Sequence, residues 1–332
     1  MLPVFLAHTD AMFRNYYGTA ALAALSRVAE VRRNTTGRHL AGRELAEAAR
    51  GCAVIVSDRM TPGEAGTFAH APDLVAFLRC AVDIRTIDVP AASTHGVLVT
   101  RATPGFADAV AELGIGMMVD LARGIGRATA HYHRGEMPEP RMGRQLAGAT
   151  LGILGYGVIG RRLAAIAKAL GMTVLVADPH VTPEDPEIGH APLHEVLAAS
   201  DFVVCLAVAT EETENLLDAA AFAAMKPGAL FVNLARGNLV DEAALRHALD
   251  HGPLAGAALD VGRAPDQMPT PSLAAHPKVI ATPHIGGLTP QAIAHQAFDT
   301  VRQVEALAAG RLPPGAVNAA HAYRLGRLGI AL

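Results

Sequence analysis

Three short segments of the chain carry side chains able to do chemistry: Asn233-Leu234-Ala235-Arg236-Gly237, Asp260-Val261-Gly262-Arg263-Ala264-Pro265-Asp266, and Thr282-Pro283-His284-Ile285-Gly286-Gly287. An arginine can hold a carboxylate through two parallel N–H···O bonds, and a histidine can exchange a proton with a hydroxyl or carbonyl oxygen near neutral pH. Together they suit redox chemistry at a carbon next to a carboxylate, with hydride moving elsewhere. Each residue alone also has a plainer reading. Arg236 would serve as a surface cation before a turn, His284 as a polar residue in a Pro-Gly loop, and Asp260 as an N-cap or turn former. Each segment follows an apolar run that reads as a strand, and parallel α/β sheets place their sites at the carboxyl ends of strands.

A fourth segment supplies the missing reagent. Leu151-Gly152-Ile153-Leu154-Gly155-Tyr156-Gly157-Val158-Ile159-Gly160 is an apolar strand running through G-x-G-x-x-G into a helix-forming stretch. The first glycine permits a tight turn, the second lets backbone approach a pyrophosphate, and the third lets helix and strand pack closely. The helix opening at Val158 would turn free N–H groups and its positive end toward phosphates. A second strand, Met172–Ala177, ends in Asp178, where a carboxylate would accept hydrogen bonds from ribose hydroxyls and repel a 2′-phosphate. NAD is therefore expected over NADP. The alternative for Asp178 alone is a turn residue before Pro179. Arg161 and Arg162 lie on the helix, where exposed cations are ordinary.

The elements that position these residues alternate regularly. Strands are expected near 3–7, 29–32, 52–57, 74–78 and 96–100, with helical patterns at 18–28 and 42–50. A long helix over Ala107–Arg127 is expected to follow, with Thr103 as N-cap and Pro104 at its first position. After a Gly/Arg/Pro-rich loop from His131 to Gly148, strands resume near 149–154, 172–177, 201–206, 228–233, 255–260 and 278–281, which suits a doubly wound parallel sheet. Pro290–Gly310 reads as one helix returning to the first lobe. The pattern thus predicts a discontinuous domain, 1–100 plus 288–332, and a nucleotide domain at 101–287, with the ligand in the crevice between lobes.

Composition narrows the class. The 332 residues are 51% hydrophobic and 18% charged with a net charge of −3, which argues against a nucleic-acid stripe or a polybasic membrane anchor. Met1–His8 has no basic flank and reads as a first strand rather than a signal peptide. Cys52, Cys80 and Cys205 sit apart in apolar segments without metal-type spacing, as expected of buried thiols in the cytoplasm.

On these segments the chain resembles the D-isomer-specific 2-hydroxyacid dehydrogenases, the family that includes phosphoglycerate, glycerate, lactate and formate dehydrogenases. The resemblance is carried by Leu151–Gly160, by Met225-Lys226-Pro227-Gly228-Ala229 through Asn233–Glu242, and by Thr282–Gly286. Ile87-Asp88, Ala91-Ala92, Val97–Thr100 and Val110–Leu113 add to it. It implies a Rossmann cofactor domain inserted in a flavodoxin-like α/β substrate domain, paired as a homodimer. It also implies Arg236 on the substrate carboxylate and His284 as general acid/base. Gly155, Tyr156, Gly157, Val158, Ile159, Gly160, Asp178, Ala207, Ala235, Asp260 and Gly287 would line NAD, and Val82 and Asp83 would meet the substrate.

Two departures stand out. Where the family has a glutamate that bonds the catalytic histidine, an ungapped count lands on Pro265, which can neither bond nor titrate. Asp266 is the nearest carboxylate, able to serve after a one-residue shift; otherwise it is a solvent-facing turn residue. In the substrate loop, Ala81 and Asp83 stand where glycines are usual, so Asp83 must point away or be paired. Arg59, Arg79 and Arg85 are the candidate partners, and the alternative is that all four form an ordinary surface charge cluster. The expected activity is hydride transfer between NAD(H) and C2 of a small D-2-hydroxy or 2-keto acid. The rival is an NAD(H)-responsive binding or regulatory protein of the same fold with weak or lost turnover, favoured by Pro265/Asp266 and Asp83.

Overall fold

The computed structural model describes residues 1–331 and divides into two compact units, Met1–Gly105 with Pro290–Leu332, and Phe106–Thr289. Unit 1 holds strands β1 (Leu2–Leu6), β2 (Ala29–Arg33), β3 (Val54–Ser57), β4 (Ala76–Arg79) and β5 (Leu98–Arg101). They pair in the order β2-β1-β3-β4-β5, every ladder parallel. That is the flavodoxin-like order. Because side chains alternate across a strand, Val4, Leu6, Val54 and Val56 pack under the helices Gly18–Val28 and Pro290–Ala308, beside Leu25, Val301 and Val304. Phe5, Ile55 and Phe77 face the other way, onto Leu45 and Phe68. A sheet covered on both faces needs such near-continuous apolar strands.

Unit 2 contains β6 (Thr150–Leu154), β7 (Thr173–Ala177), β8 (Ile188–His190), β9 (Phe202–Cys205), β10 (Leu230–Asn233), β11 (Gly256–Leu259) and β12 (Val279–Ala281). Their order is β12-β11-β10-β9-β6-β7-β8, all parallel, so the strand order reverses between β6 and β9. Open α/β sheets bind ligands at such a reversal. Ile153, Val176 and Val204 pack on Met117 and Met118 of the helix Ala107–Arg123 and on Leu163 of the helix Val158–Ala169. Val203, Phe231 and Leu259 pack on Phe222 and Leu245. Cys52, Cys80 and Cys205 are buried and unbridged, and burial pushes the Cys205 thiol up to about 12, so it stays protonated.

Two expectations are corrected. Thr103 does not cap the long helix, which begins at Ala107 after Phe106. Both its N–H and its hydroxyl donate to the Asp299 carboxylate, at 2.7 and 2.6 Å, so a charged acceptor distant in sequence outcompetes the local backbone. The helix also stops at Arg123 rather than running to Arg127, because Gly124 turns left-handed (φ 68°) and Asp120 accepts the Gly126 N–H at 2.7 Å, starting a separate helix, Ile125–His133. Strand β8 was not expected, since three residues, Ile-Gly-His, carry no apolar period.

Candidate functional site

The glycine loop is built by close approach. Gly155 has φ +97°, and a Cβ there would lie 2.7 Å from the Ala207 backbone just past β9. A Cβ on Gly160 would lie 2.3 Å from the Gly155 carbonyl oxygen. Gly157 meets nothing within 4 Å, leaving an open backbone surface at the start of the helix Val158–Ala169, whose N-cap offers no side-chain bond. Such a cradle fits a pyrophosphate. Tyr156 is buried, with the Arg161 guanidinium 5.5 Å from its ring centre, while Val158 is exposed.

Asp178 folds back onto this loop. One carboxylate oxygen accepts the Tyr156 N–H at 2.7 Å, and the other accepts those of His180 and Val181 at 2.8 and 3.0 Å. Burial pushes its carboxyl up, but the three N–H donors outweigh that and hold it below the usual carboxylate range. Each carboxylate oxygen keeps further acceptor capacity. The turn-residue alternative is therefore half right: Asp178 does organise the turn after Pro179, and it also anchors the glycine loop.

At the end of β10, Asn233 is buried, accepts the Ala235 N–H at 3.1 Å and donates to the Arg236 carbonyl at 3.0 Å, clamping the turn that carries Arg236. The Arg236 guanidinium donates to the Ala235 carbonyl at 2.7 Å. At the end of β11, the buried Asp260 carboxylate accepts from the Thr282 hydroxyl at 2.7 Å and from the Ile285 and Gly286 N–H groups at 2.8 Å. Its backbone carbonyl accepts the His284 N–H at 2.9 Å. Asp260 thus builds the histidine loop. Gly287 sits against Phe106, 3.4 Å from where its Cβ would be.

His284 has φ +55°, a left-handed conformation rare outside glycine, and its Nδ1 lies 2.7 Å from the backbone carbonyl oxygen of Asp266. The contact expected of the Asp266 carboxylate is made instead by that residue's main chain. A carbonyl only accepts, so Nδ1 carries the hydrogen and Nε2 is the nitrogen left to exchange a proton. Gln267, not singled out in the sequence, accepts the Gly237 N–H through its side chain at 3.3 Å. Arg236, Asp260, Asp266 and His284 are thereby brought to one edge of the unit 2 sheet.

In unit 1, Asp83 is paired: Arg85 reaches its carboxylate at 2.6 to 3.1 Å through Nη2 and Nε, and donates its own N–H at 2.9 Å. The surface-cluster alternative fails for Arg79, which is fully buried, donates to the Asp58 carbonyl and to the Thr86 hydroxyl, and is pulled down to about 10 by burial. Arg59 stacks on Tyr16, 4.9 Å from the ring centre, and donates to its hydroxyl at 3.1 Å. Val82 lies between Arg79 and Asp83 in the half-buried loop after β4. His8, which no spacing marks, is wholly buried at the end of β1 with its ring 4.9 Å from that of Tyr17.

Residues 115–286 match the family model described as "D-isomer specific 2-hydroxyacid dehydrogenase, NAD binding domain". The D-3-phosphoglycerate dehydrogenase of Rattus norvegicus is 35% identical over 287 residues, 85% of this chain and 54% of that protein. This chain thus spans about half the length of the curated relatives it matches. Among solved structures, a protein of Thermus thermophilus superposes with a TM-score of 0.83 at 30% identity, over 95% of this chain and 100% of that one. D-lactate dehydrogenase with NAD+ from Lactobacillus jensenii gives 0.81 at 26% identity, over 96% and 99%.

Proposed function

We propose that this chain, which belongs to the D-isomer-specific 2-hydroxyacid dehydrogenase family, is an NAD-dependent dehydrogenase of a small D-2-hydroxy acid, reducing the corresponding 2-keto acid in reverse. The observation that carries the reading is His284: with Nδ1 committed to a carbonyl, Nε2 takes the proton from the C2 hydroxyl or returns it to the C2 carbonyl. Arg236 holds the carboxylate with its guanidinium fork and polarises the adjacent carbonyl. When bound, NAD supplies hydride acceptance at its nicotinamide. The residues that would hold it are Gly155 to Gly160 at the pyrophosphate, Asp178 at the ribose, and Ala207, Ala235, Asp260 and Gly287 along its length. Asp260 acts chiefly by shaping the 282–286 loop. The Asp178 carboxylate, ionised at neutral pH, repels a 2′-phosphate and favours NAD over NADP. The loop Val82–Asp83 is assigned to the substrate, with Arg85 neutralising Asp83.

Purified protein mixed with NADH and glyoxylate, hydroxypyruvate, pyruvate or longer 2-keto acids tests the reading by loss of NADH absorbance. The second reading, a binding or regulatory protein, is favoured by a neutral carbonyl standing where a carboxylate would support an imidazolium. NADH binding without oxidation by any of these acids would establish it. We also propose a homodimer in the cytoplasm. Ile125 and Tyr132 are 54% and 59% exposed on the helix Ile125–His133, and Met137 and Met142 are exposed after it, apolar side chains that a second copy would cover.

A further inference from the structure

Four non-glycine residues among those described have left-handed backbones: Asn215, Asp266, Gln267 and His284. Three of the four meet at one hydrogen bond. Asp266 (φ 57°) and Gln267 (φ 59°) form a turn after Pro265, and the turn's carbonyl at Asp266 bonds Nδ1 of His284 (φ 55°) at 2.7 Å. Left-handed conformations disfavour residues with a Cβ, so a cluster of them must be held from outside. The Gln267 carbonyl accepts the Gly262 N–H at 2.8 Å, and its side-chain oxygen accepts the Gly237 N–H at 3.3 Å. Gly237 and Gly262 touch so closely that a Cβ on Gly237 would lie 2.1 Å from the Gly262 carbonyl. The segment bearing Arg236 and the turn orienting His284 are therefore joined main chain to main chain, with Gln267 as the side chain that spans them.

We infer that the left-handed turn Asp266–Gln267 is the positioning device for His284, that its carbonyl rather than a carboxylate sets the tautomer, and that Gln267 latches it to the backbone beside Arg236. The inference rests on the reading of Arg236 and His284 given above. It assigns the contact with His284 to the backbone conformation of Asp266. Asparagine tolerates the left-handed region and keeps the carbonyl in place, whereas a β-branched residue does not.

Imidazole nitrogen shifts from 1H–15N long-range correlation spectra of the 15N-labelled full chain at pH 8, with His284 assigned through His284→Gln, read the tautomer without any substrate. Wild type and Asp266→Asn are expected to show the Nδ1–H form, and Asp266→Val a mixture. Gln267→Gly keeps the backbone easy but removes the latch and should also give a mixture, whereas Gln267→Glu, which still offers an oxygen to Gly237, should restore the wild-type pattern. With a turned-over keto acid, Gln267→Gly should lower kcat by ~10- to 100-fold with NADH affinity unchanged. The inference is overturned if Asp266→Asn alone disturbs the tautomer as Asp266→Val does, or if Gln267→Gly leaves it as in wild type. Should no keto acid oxidise NADH while the spectra behave as expected, the dehydrogenase reading falls and the positioning device stands.

Discussion

The two parallel sheets end in polar edges that handle polar groups in opposite ways. At the unit 2 edge Asp260 fills its carboxylate with three donors, only Oδ1 of Asn238 is buried without a hydrogen-bond partner among the described residues, and the main-chain cost is carried by left-handed Asp266, Gln267 and His284. At the unit 1 edge none of the residues involved has a left-handed backbone, but both ring nitrogens of His8, Oδ2 of Asp58, Oγ1 of Thr61 and Nε of Arg79 are buried without a hydrogen-bond partner among the described residues. Burial pushes the His8 imidazole down from 6.5 to about 4, with Asp58 opposing and Arg79, Arg33 and His39 assisting. One edge stores free energy as conformation and the other as desolvation. Strain suits a group that must be aimed. Desolvation suits a group whose charge state is to be suppressed.

The contrast can be broken first at His284. If the strained edge holds the reacting group, His284→Gln should lower kcat by ~100- to 10,000-fold while NADH still binds, as stopped-flow and fluorescence titration would show; a drop of less than tenfold would remove the chemistry from this edge. The next largest effect belongs to His8. Its folded-state pKa lies below the unfolded one, so the unfolded chain takes up a proton first as pH falls. The stability it contributes is present in full above pH 6.5 and drains away toward pH 4, by about 3 kcal/mol at 1.36 kcal/mol per unit. Urea midpoints across pH 4 to 7 should therefore slope less in His8→Phe, which keeps a ring beside Tyr17. Equal slopes would mean that desolvation of His8 is not what distinguishes unit 1.

Smaller effects sharpen the picture. Arg236→Lys retains the charge but loses the planar fork, and should cut kcat/KM by ~10- to 100-fold, mainly through KM for the keto acid. An unchanged KM would reassign the carboxylate to another cation. Least affected should be stability in Arg85→Ala, because the Arg85 side chain is 60% exposed and a solvated pair of this kind is worth at most about 1 kcal/mol. A loss above 2 kcal/mol by thermal unfolding would show the unit 1 loop to be as tightly built as the unit 2 turn.

Much of this organisation is local, and for that reason legible. The spacing of Gly155, Gly157 and Gly160 is legible as a candidate phosphate loop, and at two of the three points the structure requires glycine: Gly155 for its left-handed turn and Gly160 for close packing, whereas Gly157 leaves open space. Eleven strands follow from apolar runs, whereas β8 is held by pairing with β7 and has no apolar run of its own. Residue type alone did not mark Arg236 and His284, since the chain has 15 histidines; each was singled out because it follows an apolar run that reads as a strand.

What orients them was decided elsewhere. Every residue carries a carbonyl, so no amino-acid type encodes that Asp266 would offer His284 its main chain instead of its carboxylate; the left-handed turn and the Gln267 latch settle it. Thr103 looks like a helix cap until Asp299 comes near, and His8 is only the last residue of a first-strand segment in the sequence until Tyr17, Asp58 and Arg79 close around it. Sequence by itself determined eleven of the strands and the glycine loop and marked Arg236 and His284 as candidates, since those depend on neighbours along the chain. Tertiary structure alone decided hydrogen-bond partners and desolvation, since both depend on groups tens to hundreds of residues away, which meet only when the sheet is assembled.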